Sequence, residues 1–587
     1  CAGGQGVSVV LSEHLALLAS APDGIQKLRG LILELAVRGK LVAQDPNDEP
    51  ASELLKKIAE ERARLEVEGV CKKSKVILPS DGDTYCSLPN DWQWSALDPL
   101  VRVMDSGWSP ACIETPSPNN DVWGVLKTTA VQTFQYLAYE NKELPANLTP
   151  RPECEVAAGD ILITRAGPKN RVAISCLVEE TRPHLMISDK IIRFHLVEGG
   201  MYEKFVALCL NAGATASYLE NAKSGMAASQ MNITQEKLRA APIPICSTAE
   251  QHRIVAKVDE LMVLCDRLEA EQADAASAHA RLVETLLGTL TQSTDAADLA
   301  ANWQRLAENF DTLFTTEASI DTLKQTVLQL AVMGRLVQQD PNDEPASELL
   351  KRIGRERAQL EAEGIRKKSR PVLPMVQDDQ PYSAPESWGW QRLDELLSIT
   401  GGITLGRKLS GRSLISRPYL RVANVQRGHL LLEQMKTIEI PADELEKYRL
   451  QFNDLLITEG GDWDKVGRTA IWHNEIDECL HQNHVFRARA LAEEWNCRWT
   501  EMYLNAKPAR DYFAGSSKQT TNLASINMSQ LKACPFPVPP LEEQHRIVAK
   551  VDELMTLCDR LKADLATARQ HQATLADTLI DAALEAA

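Results

Sequence analysis

Arginine, lysine, asparagine and glutamine crowd into a few short turns of this chain, and such turns suit the edges of base pairs. Arg or Lys forks onto guanine, and Asn or Gln onto adenine. The segment Thr164-Arg-Ala-Gly-Pro-Lys-Asn-Arg171 sets Arg165, Lys169, Asn170 and Arg171 around a Gly-Pro turn that can enter a groove. Lys127, followed by Thr128-Thr129, and the stretch Ser188-Asp189-Lys190 leading to Arg193 offer further cations. Later in the chain, Glu459-Gly-Gly-Asp-Trp-Asp-Lys-Val-Gly-Arg468 supplies Lys465 and Arg468. The run His481-Gln482-Asn483-His484 adds amides and imidazoles, with Arg487 behind it. Arg421, Asn424, and Lys518 with Gln519 in the loop Ser516–Thr520 complete the set.

Other chemistries find weaker support. Cys479-x-His481-x-x-His484 has zinc-ligand types, but no fourth ligand is evident. Asp462-Trp463-Asp464-Lys465 is acidic like a nuclease signature, yet it sits in a Gly-rich turn without a third carboxylate. The segment from Gly401 to Lys408 misses the phosphate-loop pattern, because Arg407 rather than Lys follows its second glycine. No Gly-rich fingerprint occurs with an Asn-Pro-Pro-aromatic partner, the pairing a methyltransferase needs. The expectation is a chain without a catalytic, metal or cofactor site of its own.

Composition narrows the class. The 13 cysteines are scattered singly with no Cys-x-x-Cys pair, which reads as reduced thiols in a cytoplasmic protein. No apolar run approaches the roughly 20 residues that span a bilayer, and no signal-peptide pattern opens the chain. The formal net charge of −17 is unfavourable for binding a polyanion, but it is unevenly placed. Residues 90–245 carry 14 Lys and Arg against 17 Asp and Glu, and residues 380–540 carry 19 of each. Two near-neutral segments are therefore embedded in an acidic remainder, and local basic surfaces remain open to them.

The elements that must position these residues are written twice. Residues 35–79 recur as residues 330–374, and the block Gln44–Lys56 is repeated letter for letter as Gln339–Lys351. Glu250–Leu268 returns as Glu543–Leu561, differing only at Val263 against Thr556. Both repeats read as helices. Ile254, Val258, Leu261, Cys265, Leu268, Ala275, Leu282 and Leu286 follow a 4-3 spacing, as do Ile547 to Leu579 in the second copy. That spacing predicts a coiled-coil seam, broken by polar Gln272, His279 and Gln572, with Ser247 and Glu250 as a capping box. A helix from Ala249 to Leu290 would run roughly 60 Å. In the other repeat a turn over Asp45–Pro50 precedes a helix that stops at Gly69. The basic clusters Lys72–Lys75 and Arg366–Arg370 then lead into the variable segments.

Those segments, 81–245 and 375–540, hardly resemble each other beyond a skeleton. Trp92-x-Trp94 matches Trp388-x-Trp390, and the strand Gly159-Asp-Ile-Leu-Ile-Thr164 matches Asn453-Asp-Leu-Leu-Ile-Thr458. Both segments end in Pro-rich strands, at Ala241–Pro244 and Cys534–Pro539. The layout is thus a helical region over 1–80, a globule over 81–245, a central helical region over 246–374, a second globule over 375–540 and a helix over 541–587. The expected fold is α+β, with two globules separated by long antiparallel coiled-coil helices in a pseudo-two-fold repeat. The terminal helical segments, carrying one repeat type each, should meet to form a second copy of the central bundle.

This arrangement, with EQHRIVAKVDEL after a Pro-rich strand and LAVRGKL-type helices, resembles the specificity subunit of type I restriction–modification enzymes over nearly the whole chain. Its length and long central region are most similar to the B family of those enzymes. The resemblance implies a non-catalytic, DNA-reading chain. Each globule would be a target recognition domain for half of a bipartite double-stranded site. The helices would be a spacer and a platform for two methyltransferase subunits carrying S-adenosylmethionine. Restriction subunits using ATP and Mg would join that core, with no membrane involved. Half-sites one helical turn apart lie about 34–36 Å apart on one face of DNA, which suits rigid struts. The competing expectation is a structural coiled-coil adaptor whose globules bind proteins.

Overall fold

The computed structural model describes residues 17–71, 73, 85–293, 296–364, 375–407, 411–461, 465–516, 518–520 and 523–586. The chain divides into two compact units, residues 1–275 with 568–587, and residues 276–567. Both divisions fall inside long helices, Thr248–Gln292 and Leu541–Ala586.

In the first unit the globule is closed where it begins and ends. Its entry strand Gln93–Ala96 pairs antiparallel with the exit strand Pro242–Ile245, placing Trp94 opposite Pro244. A two-stranded ribbon tolerates the alternate prolines, whose missing N–H groups no third strand requires. The second unit repeats this closure with Gly389–Arg392 against Pro535–Val538, Trp390 facing Pro537. The shared Ile-Leu-Ile-Thr and Leu-Leu-Ile-Thr strands are wholly buried in the middle of four-stranded sheets. The sheet orders correspond: Val101–Ser106, Ile191–Leu196, Ile161–Thr164, Ser175–Leu177 in one, and Leu397–Thr400, Val485–Ala490, Leu455–Thr458, Thr469–Ile471 in the other. The two globules are thus one β-rich frame carrying two sequences, and the α+β fold class holds.

The long helices differ from the expected seam in period. Ile254, Val258, Cys265, Val283, Leu287 and Leu290 are buried, whereas the seam residue Leu282 is 51% exposed. Ile254 and Leu290 lie about ten turns of 3.6 residues apart, as do Ile547 and Ala583. Leu575, expected in the second seam, is 47% exposed, and Ala576 is buried in its place. A straight helix drifts about 20° per heptad from a 3.5-residue repeat. Over five heptads the buried stripe therefore moves one residue along. Each helix buries its two ends and leaves 273–278 or its equivalent largely in solvent.

The ends pack as repeats within each unit. In the first, Ala576 and Ala583 are buried with Leu28, Leu31 and Leu35 of helix Gly24–Val37. In the second, Val283, Leu287 and Leu290 pack with Leu323, Val327 and Leu330 of helix Glu317–Val332. The terminal segments do come together as the central ones do. His279 takes no part in a site; its Nε2 lies 3.2 Å from the Thr312 carbonyl oxygen.

Glu250 departs from the capping-box reading. Ser247 does accept the Glu250 N–H at 3.0 Å. The Glu250 carboxylate turns inward instead, receiving Gln44 Nε2 on one oxygen and Trp92 Nε1 at 3.0 Å on the other. The second unit repeats the contact, Gln339 Nε2 donating to Glu543 at 2.6 Å. Gly39 and Gly334, at φ 69° and 71°, turn the chain against Trp92 and Trp388 with no room for a Cβ. Beside these locks, Arg253 grips Asp48 and Arg546 grips Asp343. Burial pushes the Glu250 and Glu543 carboxyls above the usual carboxylate range.

A carboxyl raised on folding stabilises the fold at low pH, and that contribution is lost as pH rises through its raised value. Glu250→Gln should therefore flatten part of the fall in stability that accompanies rising pH above the ordinary carboxylate range. Trp92→Phe, which leaves a buried acceptor unfilled, should cost about 1–3 kcal/mol. Denaturant titration at several pH values checks both.

Candidate nucleic-acid interface

Each central strand delivers its first surface residue to the same junction. In the first unit that residue is Arg165. Its N–H donates to the Lys190 carbonyl at 2.7 Å, and its own carbonyl accepts the Ile233 N–H at 2.9 Å. In the second unit Glu459 occupies this place, bonded likewise to His484 at 2.9 Å and Ile526 at 2.9 Å. The backbone scaffold is the same while the side chains invert, Arg165 with Lys190 against Glu459 with His484. Sequence reasoning missed Glu459 because it searched for donors; aligning the two Ile-Thr strands by their last residue would have found it.

A hairpin completes each junction. Ser224–Ala227 and Gln230–Asn232 pair with each other, and the second strand pairs with Ala166–Gly167. Lys518–Thr520 and Leu523–Ser525 form the counterpart, paired with Gly460–Gly461. A two-stranded ribbon of this kind fits the major groove. The first hairpin was not singled out from sequence, since it carries no charge.

The expected contact residues sort by what their side chains hold. Arg165, half-buried, and exposed Lys190 have no side-chain partner among the described residues. Asn170 is exposed, and Lys169 is paired with Glu220 at 3.1 Å. Lys127 bonds Glu140 at 3.2 Å. Lys127 and Lys190, distant in sequence, are brought together with Lys142, Ser109 and Ser188 around a cavity of about 590 Å³. In the second unit Gln482 and Asn483 are half-buried, their N–H groups fixed to Leu420 and Ile403 carbonyls. His484 is exposed and holds Glu459 at 2.5 Å. Lys465 lies across Gly461, and Arg421 reaches the Gln434 carbonyl at 2.8 Å.

Five expected contacts are turned into the framework instead. Arg193 is 9% exposed, with Asp105 at 2.6 Å and the Glu155 and Glu153 carbonyls at 2.7 and 2.8 Å. Arg487 is 8% exposed and donates to the Lys447 and Arg449 carbonyls. Asn424 is buried and caps its own turn, accepting the Arg421 N–H and donating to Leu431. Arg171 ties down the 128–132 turn through the Thr128 and Val131 carbonyls and Gln132, each at 2.9 Å. Arg468 bonds Gln426 in the corresponding place, so these two are positioning residues of the same kind. Strand periodicity hides this, because a buried arginine in a sheet looks like an exposed one in sequence.

Cys479, His481 and His484 do not converge. Cys479 is buried against the Leu480 carbonyl, and His481 is buried with Nδ1 2.8 Å from the Val485 carbonyl oxygen. Burial drives His481 down to about 4. Among the described residues no cluster of three or more His, Cys, Asp or Glu could hold a metal ion. No helix among them is long and apolar enough to cross a membrane. The side chains of Lys518 and Gln519, Asp462–Asp464, Lys408, Lys72, Lys75 and Arg366–Arg370 lie outside the described residues.

The profile of the type I restriction modification DNA specificity domain matches residues 385–567. Over 583 residues the chain is 38% identical to the type I restriction enzyme EcoAI specificity subunit of Escherichia coli, covering 96% of this chain and 94% of that one. The chain belongs to the type I restriction specificity subunits. The Escherichia coli EcoEI specificity subunit is 33% identical over 574 residues, covering 96% and 94%. The solved HsdS subunit from Thermoanaerobacter tengcongensis shares 17% identity with a TM-score of 0.38, covering 85% of this chain and 98% of that one. Membership rests on the full-length identities. It makes DNA sequence recognition within a type I restriction–modification complex the general role of the subunit.

The sorting of arginines has a direct check. Arg193→Ala removes the guanidinium 2.6 Å from Asp105 and 3.8 Å from the buried Asp160, which keeps His195 at 3.2 Å, and should destabilise the first unit by about 3 kcal/mol. Arg165→Ala should leave the melting temperature unchanged and weaken target binding by about 1–3 kcal/mol, at one base pair only. Thermal denaturation beside binding to matched and single-mismatch duplexes separates the two classes.

Proposed function

We propose that the two globules are target recognition domains, each reading one half of a bipartite double-stranded DNA site. The long helices hold them at a fixed separation and dock two methyltransferase subunits, which supply S-adenosylmethionine. Restriction subunits, using ATP and Mg, join this core in the cytoplasm. The subunit itself performs no chemistry, and membership of the B family of these enzymes is supported by its long central region. The observation that carries the reading is the repeated junction: one backbone arrangement, two sets of side chains, mounted on near-identical helices. A frame kept constant while its surface residues invert from Arg165 to Glu459 suits two different base sequences. Arg favours guanine, whereas Glu accepts from the cytosine amino group. In the cavity around Lys127, Lys142 and Lys190, Lys142 pairs with Glu114 at 2.7 Å and Lys127 with Glu140, so exposed Lys190 is the cation that suits a backbone phosphate, which fixes register without reading sequence.

Replacing residues 81–245 with the recognition domain of a relative should change one half of the methylated target and leave the other half and the gap intact. Both halves changing together, or neither, would overturn the modular reading. Methylation mapping of DNA modified by the assembled complex gives the answer. A four-residue insertion near Ala275 adds about 6 Å of helix. It should favour targets with a gap one or two base pairs longer and unaltered half-sites, as read by the same mapping.

A further inference from the structure

The hairpin Ser224–Asn232 carries a feature that its counterpart lacks. Its register slips between Gly225 and Ala227, so Met226 is a bulged residue without a partner on the opposite strand. The hairpin Lys518–Thr520 with Leu523–Ser525 pairs through without a slip. A bulge re-aims the side chain it carries, and bulges concentrate beside functional sites. Here Met226 is wholly exposed, the most exposed large hydrophobic side chain among the described residues. Gly225 permits the kink: a Cβ there would come within 2.2 Å of the Gln230 carbonyl oxygen. The turn is also fastened, because the Ala228 carbonyl accepts the Lys169 N–H at 2.7 Å. From Ser224 to Asn232 the ribbon carries no charge, and it adjoins Arg165 through the strand pairing with Ala166–Gly167. An uncharged ribbon beside cations, with an apolar thioether held out from its edge, is suited to base edges, not to phosphates. The apolar group in the major groove is the thymine 5-methyl.

We propose that this hairpin enters the major groove of the first half-site and that Met226 recognises a thymine there through its 5-methyl group. The inference rests on the first globule reading DNA. Cation side chains beside the ribbon position it, and Met226 supplies discrimination that no hydrogen bond provides.

The test uses the assembled methyltransferase complex and duplexes in which each thymine of the first half-site is replaced singly by deoxyuridine, which lacks only that methyl. One position should weaken wild-type binding by about fourfold, the worth of one buried methyl. Met226→Ala should lose a similar factor on the thymine duplex and bind the deoxyuridine duplex at that position equally well. It should still reject base-pair mismatches elsewhere in the half-site. Met226→Leu should keep the discrimination. Equal binding of every deoxyuridine duplex by the wild type would overturn the proposal, as would a half-site without an A·T pair. Loss of methyltransferase assembly by Met226→Ala would also overturn it, because Met226 would then serve a protein contact. Failure of the underlying reading looks different: mismatches anywhere in that half-site would leave binding unchanged, whichever residue stands at 226.

Discussion

A buried carboxylate at the start of the first long helix joins three segments that lie far apart in sequence. Glu250 receives the Gln44 amide from the turn after the first helix and the Trp92 indole from the entrance of the globule. Buried acceptors without donors cost more than a typical hydrogen bond returns, so the three residues are constrained together. Gln251 extends the joint by accepting the Tyr202 N–H at 2.8 Å and donating to the Cys246 carbonyl at 3.0 Å. Through these contacts the strut, the preceding helix pair and the globule are fixed to one another within the unit. The orientation of every surface loop on the globule follows from that joint.

The same joint gives a physical reason for the letter-for-letter repeats. Gln44–Lys56 and Glu250–Leu268 are identical or nearly so in their second copies because their residues bind one another: Gln44 with Glu250, and Asp48 with Arg253. Gln339 with Glu543 and Asp343 with Arg546 repeat both pairs. The exterior of the long helices is less constrained, as Val263 against Thr556 indicates, both positions being solvent-facing.

Much of the architecture was legible in sequence because repetition marks it. The helical repeats, the closing Pro-rich strands and the shared Ile-Thr strand all occur where their patterns indicate. The seam was legible only in its first half, since a 3.5-residue template and a 3.6-residue helix separate by a full position between Ile254 and Leu290. Glu250 was misread because a local cap and a long-range acceptor share one sequence signature. The contact residues were the least legible. Arg193 and Arg487 donate mostly to backbone carbonyls distant in sequence, and Asn424 is spent on its own turn, none of which composition can show. The uncharged hairpin at Ser224–Asn232 was invisible to a search for cations. Its significance lies in a register slip that only strand pairing reveals.

A picture follows in which constant and variable parts have separate physical tasks. Buried polar joints and apolar helix ends, repeated in both units, fix where each globule's junction points. The junction side chains, free of that duty, differ between units in charge and size. The most direct measurement is the methylation map of DNA modified by the complex assembled around this chain. One asymmetric target is expected, made of two dissimilar defined half-sites separated by a fixed unspecified gap. A continuous target, a palindrome with identical halves, or a gap that varies from site to site would contradict this expectation.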